Sequence, residues 1–182
     1  MSSFTSTLLE EIESRGGRGT VPGLRYAEIV RKEDDGTYVL KWLSGAVRSE
    51  SAPARAAAFM AGGERGAYFP FEVGDEVVVG FIEGHQDQPV ILGALWSDQD
   101  KPPADADTSA DNNVRIIRSR EGSSVTFDDT KGATALKLKS AGGMELVLDD
   151  KAKKLTITFD ASTSIEMSTA GITIKGATIN LN

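Results

Sequence analysis

From residue 114 to the end, the chain is a series of short segments in which apolar and polar residues alternate: VRIIRS, SVTFDD, TALKLK, MELVL, KLTITF, TSIEMS, GITIK and ATINL. Alternation of period two places successive side chains on opposite faces, so each segment reads as a strand with one apolar face. Eight strands are expected in these 69 residues, separated by Gly, Asp, Ser or Asn. The spacing of about 8 to 11 residues also suits a sandwich, so periodicity alone does not choose between a sandwich and a winding β-helix.

Two features favour the winding form. The last strands are one-faced: Leu155, Ile157, Phe159, Ile165, Met167, Ile172, Ile174, Ile179 and Leu181 alternate with Thr, Ser, Lys, Glu or Asn. Burying those nine side chains stabilises less than ordering residues 155 to 182 costs, and so narrow a strip brings no second layer of its own. A lone ribbon also leaves strand edges open to other chains. Partner chains are therefore expected. Three copies that turn their apolar faces to a shared axis and pair their edges with neighbours make a stiff, narrow rod.

Upstream the pattern differs. LRYAEIV, a turn at Glu33 to Gly36, and TYVLKWL read as a hairpin. Residues 44 to 67 are rich in Ala, Gly, Ser and Arg and read as a loop, with a helical turn at Pro53 to Met60. Then FEVGDEVVVGFIEG presents Val73, Val77, Val79, Phe81 and Ile82 around a turn at Gly74 and Asp75, and VILGALW follows a turn at residues 86 to 89. About five short strands in some 75 residues point to a small antiparallel barrel, OB-like rather than a sandwich. Ser97 to Asn113, with two prolines, five aspartates and almost no apolar residue, reads as a linker. The expected organisation is an arm at 1–20, an OB-fold collar at 21–96, a linker at 97–113 and a shaft at 114–182. Within the arm, Leu8, Leu9 and Ile12 lie at helical spacing before glycines 16, 17 and 19. A frayed arm and a docking segment remain equal readings.

Composition removes several functions. There is no cysteine, which excludes disulfides, thiolate metal sites and cysteine nucleophiles. No 18-residue apolar run could cross a bilayer, and the start lacks the basic-then-apolar order of a secretory signal, so synthesis and folding in a cytoplasm are expected. Residues 1 to 107 hold 10 basic and 18 acidic side chains and residues 108 to 182 hold 10 and 9. Neither half has the cationic surplus that a generic nucleic-acid binder uses against phosphates.

The isolated chemical groups are weak candidates. His85 lies in a polar turn with no nucleophile motif and no second histidine. The clusters at 33–35, 128–129 and 149–150 lack the spacing of a calcium loop, and adjacent carboxylates on a strand face opposite ways and cannot flank a glycosidic bond. Glycines 16, 17 and 19 follow no strand and precede no Lys-Ser/Thr, so they read as a hinge. Trp42 and Trp96 could stack on single-stranded nucleic acid, but barrel core or collar contacts fit the acidic collar better.

Positions 68 to 103, YFPFEVGDEVVVGFIEGHQDQPVILGALWSDQDKPP, closely resemble the OB-domain signature of phage baseplate assembly protein V and the type VI secretion VgrG spike family. The resemblance rests on Pro70, Glu72 to Val77, Gly80-Phe81, Asp87, Pro89, Val90 to Gly93 and the proline-containing exit. Asn113 to Arg120, a Gly, and Val125 to Asp129 resemble the phrase that opens the family's intertwined β-helix. The resemblance implies an all-β chain, an N-terminal OB-fold barrel followed by an intertwined trimeric β-helix (β-prism) needle. It further implies a homotrimer that sits beneath a hub, assembles in the bacterial cytoplasm into a virion or tail-like particle, and punctures the target envelope mechanically, without catalysis or cofactor.

The chain has room for neither a fused hub domain nor an inserted lysozyme domain, so the hub is expected to be a separate protein. Nor does it have the His-x-His repeat of an iron-binding tip. A PAAR-type tip protein is therefore expected at Ile179, Asn180, Leu181 and Asn182. The alternative reading is an OB-fold module that binds nucleic acid or carbohydrate through Trp42 and the loops, beside a β-rich oligomerisation domain.

Overall fold

A computed structural model describes residues 23–43 and 50–180 and divides the chain into two units after Asp100. In the first, β1 (Arg25–Lys32) and β2 (Tyr38–Trp42) form the expected hairpin. The turn closes through Glu33 N–H to Thr37 O at 2.8 Å, while Gly36 takes φ +82°, a conformation that costs glycine little. The Asp35 carboxylate accepts from both the backbone N–H (2.9 Å) and the hydroxyl (2.6 Å) of Thr37.

The remaining strands of this unit are β3 (Arg55–Ala56), β4 (Ala61–Gly62), β5 (Arg65–Gly66), β6 (Glu76–Phe81) and β7 (Pro89–Ala94). Of this unit's seven strands among the described residues, five make one sheet in the order β2-β1-β6-β7-β3, antiparallel except for the β3–β7 pair. Its two ends are tied by Tyr38 and Ala54, whose N–H groups each donate to the other's carbonyl at 2.9 and 2.8 Å. The sheet thereby curls into a barrel. The inward residues Ala27, Ile29, Leu40, Val77, Val79 and Ile91 are all fully buried, with Tyr38, Trp42 and Ala54 completing the core.

Two expectations for this unit need correction. Pro53 to Met60 forms no helical turn, because Ala54 and Arg55–Ala56 are drawn into the barrel's closing ladder. Of the five apolar residues placed around the Gly74–Asp75 turn, Val77 and Val79 enter the core and Phe81 packs against it, but Val73 and Ile82 lie outside the strand and stay exposed. Between β3 and β6 a small β4–β5 hairpin projects, and its Gly66 leaves the Met60 carbonyl only 2.6 Å from where a Cβ would stand.

The second unit is one seven-stranded antiparallel sheet: β8 (Val114–Arg118), β9 (Ser124–Asp128), β10 (Ala135–Lys139), β11 (Glu145–Asp149), β12 (Lys154–Thr158), β13 (Ser164–Ser168) and β14 (Gly171–Lys175). Each strand pairs only with its neighbours in sequence, giving the order β14-β13-β12-β11-β10-β9-β8. Seven of the eight expected strands form. The eighth, ATINL, shows no strand over its described residues, 177–180. Before β8, Asp107 accepts from the N–H of Ser109 (2.9 Å) and of Asn113 (2.7 Å), and Arg118 pairs with Asp105, so the aspartates of this stretch fasten it to the sheet. Among the described residues, no helix is long and apolar enough to cross a membrane.

Candidate assembly surface

The register of the seven strands aligns their apolar residues into two continuous files on one face. One file runs Ile117, Val125, Leu138, Leu146, Ile157, Ile165, Ile174, and the other Arg115, Phe127, Leu136, Leu148, Leu155, Met167, Ile172. Every position in both files is apolar except Arg115. Two residues per strand on this face and three on the other follow from the five-residue strand length. The opposite face carries Thr126, Lys137, Thr156, Glu166 and Thr173 in its central file, with Ile116 and Val147 interspersed. Its charges neutralise one another locally: Lys137 lies 3.6 Å from Asp128, and Lys154 lies 3.3 Å from Glu166.

Among the described residues of this unit, nothing covers either file. Ile172 is 66% exposed, Ile117 52% and Ile157 42%, and the described residues of this unit include none that is fully buried. The apolar face widens at one margin, where Met144 and Phe159 continue the alternation of β11 and β12 and are also exposed. About a dozen half-exposed apolar side chains present on the order of 1,000 Å² in one patch. That exceeds the few hundred Å² usual for a monomer and matches what one partner contributes to a stable interface.

Short turns hold the strands in register, and their aspartates do the holding. Asp160 accepts from the N–H of Ser162 and of Thr163 at 2.8 and 2.7 Å, Asp128 from the N–H of Thr130 at 3.1 Å, and Asp149 from the N–H of Ala152 at 2.8 Å. Donors aimed at a carboxylate favour its charged form. Accordingly Asp160, held chiefly by Ser162, and Asp128, held chiefly by Thr130, titrate below the usual carboxylate range. Asp107 and Asp35 do so for the same reason, through Ser109 and Thr37. Turn formation thus accounts for the carboxylates at 35, 128 and 149, and no group of three or more potential metal ligands occurs among the described residues.

The other sequence candidates scatter. His85 ends a short 3-10 turn (Ile82–Gly84), its Nε2 3.8 Å from Glu83, and is partly solvent-exposed. Trp42 is 9% exposed, with its ring 5.5 Å from Phe81 and the Arg25 guanidinium 5.8 Å from its centre. Stacking of nucleic-acid bases on Trp42 is thereby corrected: its face belongs to the core. Trp96 lies exposed at the barrel's exit. Ile179 is half-exposed and Asn180 exposed, whereas Leu181, Asn182, the arm at 1–20 and glycines 16, 17 and 19 lie outside the described residues.

The sequence reading gave no individual role to Arg115, the lone charge in the apolar files, to its pairing with Asp129, or to the exposed Phe59, Tyr68 and Phe69. Alternation did place Arg115 on the face of Ile117, which was the available signal.

In comparison with protein families, residues 38–96 fit the model described as the type VI secretion system/phage-baseplate injector OB domain. The matched span runs from β2 to just beyond β7.

Proposed function

We propose, from the injector OB domain of type VI secretion systems and phage baseplates that residues 38–96 carry, that this chain is the spike of a contractile injection apparatus. The family match supports a structural, baseplate-associated role in a phage or tail-like particle. The finer reading is a homotrimer whose barrels form a collar beneath a separate hub protein. Its three sheets turn their apolar files to a common axis as a β-helical, prism-like shaft.

The observation that carries this reading is the double apolar file. An amphipathic sheet with no second layer lowers its free energy by covering that face, and a cyclic trimer covers three such faces at once while leaving the Thr- and Lys-bearing faces in water. The free edge of β14 and the exposed Ile179 then suit a small PAAR-type tip protein seated on Ile179, Asn180, Leu181 and Asn182. Residues 1–20 are assigned to hub docking. Sheath contraction supplies the force and the shaft transmits it to the target envelope; no residue acts as a catalyst and no cofactor takes part.

The test is the solution mass of the purified protein by light scattering, with an unheated SDS gel alongside. A mass of three chains that survives detergent is expected. A monomer at micromolar concentration would refute the shaft and favour a binding module.

A further inference from the structure

Two apolar files repeated over seven strands hold each chain's face together but say little about how copies align. If one copy slips along another by a hairpin, two strands or about 9.5 Å, every overlapping rung still sets apolar side chains against apolar ones. Strand direction is also preserved by such a slip. The single departure is Arg115, on the first rung of its file beside Phe127. Its guanidinium pairs with Asp129, whose backbone N–H is fixed to the Asn113 carbonyl at 2.8 Å. Both side chains are more than half exposed, at 54% and 62%.

We propose that the Arg115–Asp129 pair is the register determinant of the shaft. The inference rests on the trimeric reading above and adds to it a rule for alignment. With the copies level, the pair lies at the rim of the apolar interior and keeps its water. With any copy displaced by a hairpin, in either direction, one chain's pair is pushed against the Leu136 and Leu138 rung of a neighbour and loses that water. A desolvated ion pair gains less from its own attraction than it loses in hydration. A polar group in an otherwise apolar seam selects alignment in the same way in coiled coils, at some cost in stability.

The absence of cysteine allows a direct readout in the full chain. Leu146→Cys and Ile165→Cys together mark rungs four and six of one file. Lys151, Lys153 and Lys154 lie between the two positions, so tryptic peptides of the oxidised protein report which cysteines have joined. Level copies give 146–146 and 165–165 links, and slipped copies give 146–165 links between chains, scored after mixing isotopically labelled and unlabelled protein during refolding.

With Arg115 and Asp129 present, like-with-like links are expected almost alone. Arg115→Leu should raise the interchain 146–165 share at least tenfold with the three-chain mass unchanged, and Arg115→Lys should leave it low. An unchanged share in an Arg115→Leu trimer would overturn the register role while leaving the trimer standing. A monomeric mass with no interchain links in the cysteine-marked protein, matched by a monomeric unsubstituted protein, would remove the trimer and with it this inference.

Discussion

Replacing Ile157 by alanine separates a sheet that stands alone from one that is covered. Ile157 lies mid-file between Leu146 and Ile165 and is 42% exposed within its own chain. A buried isoleucine truncated to alanine costs about 2–5 kcal/mol in lost burial and residual cavity. Scaled by the part of Ile157 that its own chain covers, an isolated sheet should lose only about 1–3 kcal/mol. If two further copies close over the face, the full figure applies to each chain, and three copies lose about 6–15 kcal/mol of assembly free energy together.

The assay is urea unfolding at several protein concentrations, because an associated native state gives a midpoint that rises with concentration. Leu40→Ala is the internal standard: Leu40 is fully buried in the barrel, so its cost of about 2–5 kcal/mol does not depend on partners. Costs for Ile157→Ala and Leu40→Ala of similar size per chain are expected, with loss of the SDS-resistant species in the former. An Ile157→Ala cost near half that of Leu40→Ala, beside a midpoint indifferent to concentration, would refute the argument.

Two other outcomes follow from particular contacts. The Trp42 indole N–H is buried with no hydrogen-bond partner among the described residues, and an orphaned donor of this kind costs about 1–3 kcal/mol; Trp42→Phe should therefore lose far less than the usual penalty for trimming a core tryptophan, as read by thermal unfolding. Asp35, Asp107, Asp128 and Asp160 titrate lower in the folded chain than a free aspartate near pH 3.9, so their stabilisation is complete above that value and is lost as pH falls through their lowered native values. Melting temperatures should thus fall steeply only below about pH 4, less steeply in Asp160→Asn; a fall already under way at pH 6 would show that other groups control acid stability.

The sequence discloses strands where alternation is strong and hides them where side chains are small. Leu24 to Val30 and Thr37 to Leu43 announce a hairpin through β-branched and aromatic residues, and the seven sheet strands of the second unit stand out for the same reason. Ala54 to Ala56 carry no such mark, yet they close the barrel, because a ladder of backbone hydrogen bonds needs no particular side chain. ATINL shows the opposite: its alternation is good, yet its described residues form no strand, because alternation sets which face a side chain takes and does not supply a pairing partner. For the candidate surface, the apolar alternation identified its members, while their union into two unbroken files depends on register. Register is fixed by turns such as Asp160 to Thr163, whose lengths are visible in the sequence but whose pairing is not.

The strictly sequential pairing of β8 to β14 has a consequence for how such a chain can change over evolutionary time. No strand depends on one distant in sequence, so a hairpin of about twenty residues added or deleted between turns leaves every other pair intact and alters the sheet's length by about 9.5 Å. Length thereby becomes a quantity that duplication and deletion can adjust in fixed increments. Under the spike reading proposed above, the same increments would set the shaft's reach without redesign of its chemistry.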